Sequence, residues 1–299
     1  VVDRFAEARE LLRNRRDQRS RPHRAEKIIV AWNGHMIEAL ARAGAARDEP
    51  RYLAAARTAA EFSETQLWKD GRLLRHYRDG AVDVPAYLDD YAYLGRGLLA
   101  LYETTHEPRW LRSAVRAAGE IHRLFARDDG GYAFLGHDGE ALLAPVVQIY
   151  DGALPSGNSV AAGFLSRLGH LTGASDLEDR GWAVLETFVA NIDRSPDSYL
   201  EMLSAVDFAL GPQTEVVIAG DPADPGTQAL RRAVFDRYLP NTVVALHPAA
   251  GGAEIVALIP YLEAQTALDG RPTGYVCRDY ACRLPVHEVE ALVRELEAR

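Results

Sequence analysis

At 299 residues, 47% hydrophobic and 26% charged, the chain has ample material for a large core, and its composition excludes disordered, collagen-like and disulfide-stapled classes. The 34 Lys and Arg against 43 Asp and Glu leave a net charge of −9, which argues against nucleic acid as a partner because phosphate binding relies on clustered cations. No run approaches the roughly 18 apolar residues of a membrane span, and two cysteines are too few for a secreted framework, so a cytoplasmic, membrane-free setting is expected.

In chain order, the sequence begins Val1-Val2-Asp3 without Met, so a C-terminal portion of a longer protein is expected. Seven Arg and Lys between Arg13 and Lys27 fit a solvated helix and linker. A repeat follows. Glu49-Pro50-Arg51-Tyr52-Leu53 returns as Glu107-Pro108-Arg109-Trp110-Leu111, 58 residues later. Each copy joins an apolar helix (36–45; 94–104) through a polar turn to an Ala-rich helix (52–67; 110–125). A looser third copy runs 159–171 and 177–188, broken at Gly173. Leu53, Ala56, Ala60 and Leu67 keep the helical period, and Pro50 and Pro108 suit a first turn whose N–H groups lack partners anyway. One hairpin cannot bury its own apolar face, so the hairpins must stack. Between them, the glycine-bounded stretches 71–80 and 130–136 predict short β-ribbons.

After about residue 212, Glu215 to Ala219, a helix over 227–238 and Asn241 to Leu246 predict strand–helix–strand with parallel pairing, and a last helix over 286–297. Gly220-Asp221-Pro222 lacks the G-x-G-x-x-G of dinucleotide binding, so no cofactor is expected. Cys277 and Cys282 form neither a C-x-x-C nor half of a zinc site, so no metal is expected. Two inert buried thiols are the first expectation and a regulatory pair the alternative.

The repeat also aligns the junctions before each first helix: Trp32-Asn33-Gly34-His35, Tyr87-Leu88-Asp89-Asp90, and Asp151 through Ser156 and Asn158. Stacking brings them to one rim. Carboxylates and amides can take up hydroxyls and aromatic faces can cover sugar rings, so a site for a sugar-like small molecule is expected. Asp90 and Asp151 are its acid/base candidates, with His35 as proton shuttle. Trp32, Asn33, Tyr87, Asp89, Ser156 and Asn158 are its substrate-binding candidates. The same Asp, Asn and Ser types are good helix N-caps, which is the competing account of the pattern.

Four ordered blocks carry a family resemblance: residues 27–34 (KIIVAWNG), 85–92 (PAYLDDYA), 150–159 (YDGALPSGNS) and 275–286 (YVCRDYACRLPV). They resemble spermatogenesis-associated protein 20 and its bacterial relatives. That resemblance implies an (α/α)6 toroid similar to N-acylglucosamine 2-epimerases and six-hairpin glycosidases, normally fused to an N-terminal thioredoxin-like domain absent from this sequence. Ala25-Glu26-Lys27 departs from the Asp-Asp-Lys lead-in common among the relatives.

The fold expected is therefore mainly α: toroid-type stacked hairpins, incomplete in this chain, over 1–211, with a small C-terminal α/β element over 212–299. The function expected is carbohydrate-active or carbohydrate-binding, in the manner of a sugar isomerase, epimerase or glycosidase relative. The alternative is a non-enzymatic scaffold for a redox domain or protein partner.

Overall fold

The structure, a computed structural model, describes residues 2–80, 84–139, 143–278 and 280–298. An exposed lead-in helix, α1 (Val2–Asp17), carries part of the basic stretch. Three hairpins follow: α2 (Val30–Arg47) with α3 (Pro50–Phe62), α4 (Leu88–Thr105) with α5 (Pro108–Phe125), and α6 (Gly157–Thr172) with α7 (Ser175–Arg194). A shorter helix, α8 (Leu200–Leu210), packs beside α6. The first helices pack as a row, α2–α4–α6–α8, while α3, α5 and α7 back them. This is the stacked-hairpin, toroid-type arrangement.

Local chemistry sets each turn. Pro50 and Pro108 open α3 and α5. Asp48, His106 and Gly173 close α2, α4 and α6 in the left-handed region, freeing the chain to reverse. The α5 stripe of Trp110, Leu111, Ala114, Ala118, Ile121 and Phe125 keeps helical spacing and is buried, whereas α4 is buried almost throughout because it has neighbours on both sides. Glycine allows the close approach of α2 and α4. A Cβ on Gly34 would stand 2.5 Å from the Leu94 nitrogen, and one on Gly97 would stand 2.4 Å from the Gly34 oxygen.

Between hairpins, β1 (Ile28–Ile29) pairs with β4 (His76–Tyr77), and β2 (Trp68–Lys69) pairs with β3 (Arg72–Leu73). The two strands within 71–80 thus pair outward rather than with each other, and the second expected ribbon also differs. Residues 130–136 turn back on the end of α5 through Ala133 N–H to Phe125 O at 2.8 Å, with one isolated bridge between Ala126 and Tyr132.

In the C-terminal part, β5 (Thr214–Ala219), α9 (Pro225–Phe235) and β6 (Thr242–His247) form the expected strand–helix–strand with parallel pairing. An antiparallel strand, β7 (Thr273–Arg278), pairs on the other side of β5 and carries β8 (Ala281–Cys282). The short helix α10 (Ala253–Leu258) precedes β7, and α11 (Val289–Glu297) ends the chain. Alternation along the strands divides the sheet faces. Val216, Ile218, Val244 and Val276 pack on α9 and α11, while Val217, Ala219, Val243 and Ala245 join the core of the hairpins. The expectation of two free thiols is corrected. Register places Cys277 opposite Cys282, and the two form a disulfide, with Cys277 buried and Cys282 exposed. Among the described residues, no helix is long and apolar enough to cross a membrane.

Candidate functional site

The aligned junctions do gather at one rim, and backbone amides hold them together. Asp90 is 0% exposed. Its Oδ1 accepts the Ala31 N–H that opens α2 at 3.2 Å, and its Oδ2 accepts Tyr87 N–H at 3.0 Å and Arg75 Nη1–H at 3.1 Å. Burial, then the adjacent Asp89 carboxylate, push the Asp90 carboxyl up to about 7 against the pull of Arg75 and the two amides. Asp151 ties another junction. Its Oδ1 accepts Ser156 N–H at 2.8 Å, and its Oδ2 accepts the Glu201 and Met202 amides at the start of α8 at 3.0 and 3.1 Å. Both oxygens of each aspartate thus accept backbone donors. Asp90 and Asp151, the pair expected as acid and base, also cap helix ends, tying α2 to α4 and the 151–156 loop to α8.

Three more expected binding residues hold backbone in the same way. Asn158 is fully buried, donating to Tyr132 O and Gln148 O and accepting Tyr132 N–H. Ser156 Oγ caps α6 by accepting Ser159 N–H, and Asn33 Nδ2 donates to Ile29 O at 2.8 Å. Repetition of cap residues therefore explains much of the junction pattern.

The other four residues of the expected set are exposed or half-buried. Trp32 is 59% exposed, and His35 is exposed with its ring edge-on to Tyr93 at 5.4 Å. Asp89 is partly exposed, with Oδ1 taking Asp90 N–H at 3.1 Å and Arg75 Nη1 3.6 Å away. Burial raises its carboxyl, opposed by Arg75. Tyr87 lies 4.4 Å beneath the Arg75 guanidinium and against Phe134. Tyr93 links this rim to the helix faces below: its hydroxyl donates to Pro155 O at 3.0 Å, and the Arg96 guanidinium lies 5.5 Å from its ring. Burial raises that hydroxyl most; Arg96 opposes, and Glu201, Asp89 and Asp151 add to the rise.

Along the row of first helices runs a groove of about 430 Å³ lined by Glu38, Arg42, Arg96, Arg167, Glu201 and Phe208, among others. Arg96 of α4 spans it, with Nε 2.7 Å from Glu38 of α2 and its other arm on Glu201 of α8. Arg42 reaches Glu38 at 3.0 Å. Burial works against the Glu38 charge, yet Arg96 and Arg42 hold its carboxyl below the ordinary value. At the end nearest the sheet, Arg167 forks onto Glu103 at 2.9 and 3.1 Å and donates to Pro240 O. Sequence reasoning missed Glu38, Arg96 and Glu201. A signal existed: Glu38 and Arg96 occupy equivalent places, 58 residues apart, in the first two repeats. Among the described residues, no cluster of three or more His, Cys, Asp or Glu is arranged to hold a metal.

No protein-family model matches the chain. Spermatogenesis-associated protein 20 of Homo sapiens is 32% identical over 283 residues, 91% of this chain, and the Rattus norvegicus protein of the same name matches equally. The chain is a homologue of the spermatogenesis-associated protein 20 family. An uncharacterised Caenorhabditis elegans protein is 27% identical over 96% of the chain. The homology covers 36% of the length of the human and rat proteins. Among solved structures, this homologue is similar to cellobiose 2-epimerase from Bacillus thermoamylovorans (TM-score 0.49, 11% identity, 88% of this chain and 67% of that one). It is also similar to cellobiose 2-epimerase from Spirochaeta thermophila (0.47, 18%, 56% and 44%) and to a D-mannose isomerase (0.48, 14%, 62% and 54%).

Proposed function

We propose that the groove between α2, α4, α6 and α8 binds a neutral, polyhydroxylated ligand of the sugar class. The observation that carries this reading is the Glu38–Arg96–Glu201 bridge on an open concave face, with Arg42 beside it. Glu38, Glu201 and Asp207 balance Arg42, Arg96 and Arg167 along the lining, so the groove has no surplus charge that calls for a charged ligand. Carboxylate oxygens accept and guanidinium N–H groups donate in pairs, which suits adjacent hydroxyls. At the rim, the exposed Trp32 offers a face for the apolar side of a ring, and His35 and the partly exposed Asp89 stand beside it as polar groups.

The test is titration with a panel of mono- and disaccharides, followed by tryptophan fluorescence and calorimetry. Saturable binding by the intact protein, weakened at least about tenfold in Arg96→Met, supports the proposal. Silence across the panel at millimolar concentrations, or undiminished binding by a folded Arg96→Met protein, overturns it.

A further inference from the structure

A second cavity, of about 440 Å³, is walled by strands β5, β7 and β8 and by residues of 261–265 and 280–285, away from the groove residues. Its walls include Glu215, Tyr261, Gln265, Tyr275 and Tyr280, with the Cys277–Cys282 disulfide along one side. Glu215 lies on β5 directly opposite Cys277 of β7. The carboxylate is 2% exposed; His170 Nε2 approaches its Oε1 at 2.5 Å, and Oε2 has no hydrogen-bond partner among the described residues. Gln265 is also buried. Its amide nitrogen is spent on both sulfurs, at 3.4 and 3.2 Å, which leaves Oε1 without a partner among the described residues.

The aromatic walls are held by their own hydroxyls. Tyr261 donates to Leu171 O at 2.8 Å, Tyr275 donates to Thr266 O at 2.6 Å, and Tyr280 donates to Glu178. Arg283, which also lines the cavity, is paired with Glu295 at 2.8 Å. Among the buried side chains that line the cavity, the polar atoms left over are therefore acceptors, one of them on a carboxylate whose other oxygen faces His170. Leaving such groups unmade is costly, and aromatic rings attract cations through their faces.

We propose that this cavity binds a small organic cation bearing a primary ammonium group. The ammonium donates to Glu215 Oε2 and Gln265 Oε1, and its hydrocarbon part lies against the tyrosine rings. The N–H donors set the preference, because a quaternary ammonium has charge but nothing to donate.

Calorimetry on the whole chain with n-butylammonium, tetramethylammonium and 1-butanol tests the assignment. Butylammonium is expected to bind one to one, tetramethylammonium at least about tenfold more weakly, and butanol not measurably. Glu215→Gln is expected to weaken butylammonium by about tenfold or more. Tyr280→Leu, at the exposed mouth, is expected to weaken it several-fold while circular dichroism stays unchanged. Should Glu215→Gln fail to fold, the contrast among the three probes and the Tyr280 variant decide the matter. Butanol binding as well as butylammonium, no heat with butylammonium at about 10 mM, or wild-type affinity in a folded Glu215→Gln protein each overturns the proposal. The sugar titration of the groove is unaffected by any of these outcomes.

Discussion

Glu38 and Arg96 stand one repeat apart in the sequence and 2.7 Å apart in space, so the stacking of two equivalent helices turns a sequence repeat into an ion pair. Arg96→Met removes the cation on Glu201 and leaves Glu38 with Arg42 alone. The groove is partly open to water, which discounts the cost to about 1–3 kcal/mol. Urea denaturation at pH 7 measures it.

Acid titration checks the same pair. Because Arg96 and Arg42 hold Glu38 below its ordinary value of 4.5 against the effect of burial, the folded state keeps this carboxylate ionised at lower pH than the unfolded state does. Its stabilising contribution is present above about pH 4.5 and is lost as pH falls through the lower, folded-state value. In Arg96→Met the acid-side loss of stability assigned to this group shrinks. A wild-type acid limb retained by the variant contradicts the assignment.

Asp90 behaves in the opposite sense. Its carboxyl is raised from 3.8 to about 7, so the folded state binds a proton that the unfolded state has released between those values. This group's contribution falls as pH rises from about 4 to 7 and is level above that, and Asp90→Asn flattens the window. Asp90→Ala additionally strands the Ala31 and Tyr87 amides and Arg75, costing about 2–4 kcal/mol. Thermal midpoints between pH 4.5 and 8 for wild type and both variants separate the two effects.

Gly97 admits the α2 backbone. Gly97→Ala puts a methyl carbon 2.4 Å from the Gly34 oxygen, and separating the helices to relieve it costs about 1–3 kcal/mol or more. Gly119→Ala, with nothing within 4 Å of the added carbon, is the matched control and leaves stability equal or slightly higher. Denaturant midpoints for the two variants should differ clearly.

Trp32 is exposed, so Trp32→Phe changes folding stability by no more than about 0.5 kcal/mol. If the rim contributes to sugar binding, the same variant loses the fluorescence response while calorimetry shows weaker binding. An unchanged calorimetric affinity removes Trp32 from the binding surface.

Much of the scaffold was legible from local signals. The recurring Glu-Pro-Arg-aromatic-Leu marked where each second helix begins, and Pro50 and Pro108 stand at those starts. The candidate site was less legible. Asp90 and Asp151 are readable in the sequence as junction carboxylates, but an Asp that caps a helix and an Asp that transfers a proton are the same letter. Only the donors around them, Ala31, Tyr87 and Arg75 for one and Ser156, Glu201 and Met202 for the other, distinguish the two tasks. Cys277 and Cys282 likewise depended on register, because their bond requires β8 to fold back on β7.

Composition and length bounded the class: an acidic chain with enough apolar residues for a core and too few cysteines for a stapled framework. Periodicity and the 58-residue repeat determined the hairpins, because helix period, proline at the first turn and the left-handed closing residue are properties of neighbours in sequence. Tertiary structure decided which polar residues are struts and which line open space. That outcome depends on the few ångströms between helices α2, α4, α6 and α8, where Arg96 can bridge two carboxylates and Asp90 can meet an amide 59 residues away. Hydrogen bonds and ion pairs are set by distance in space, and only packing brings those groups together.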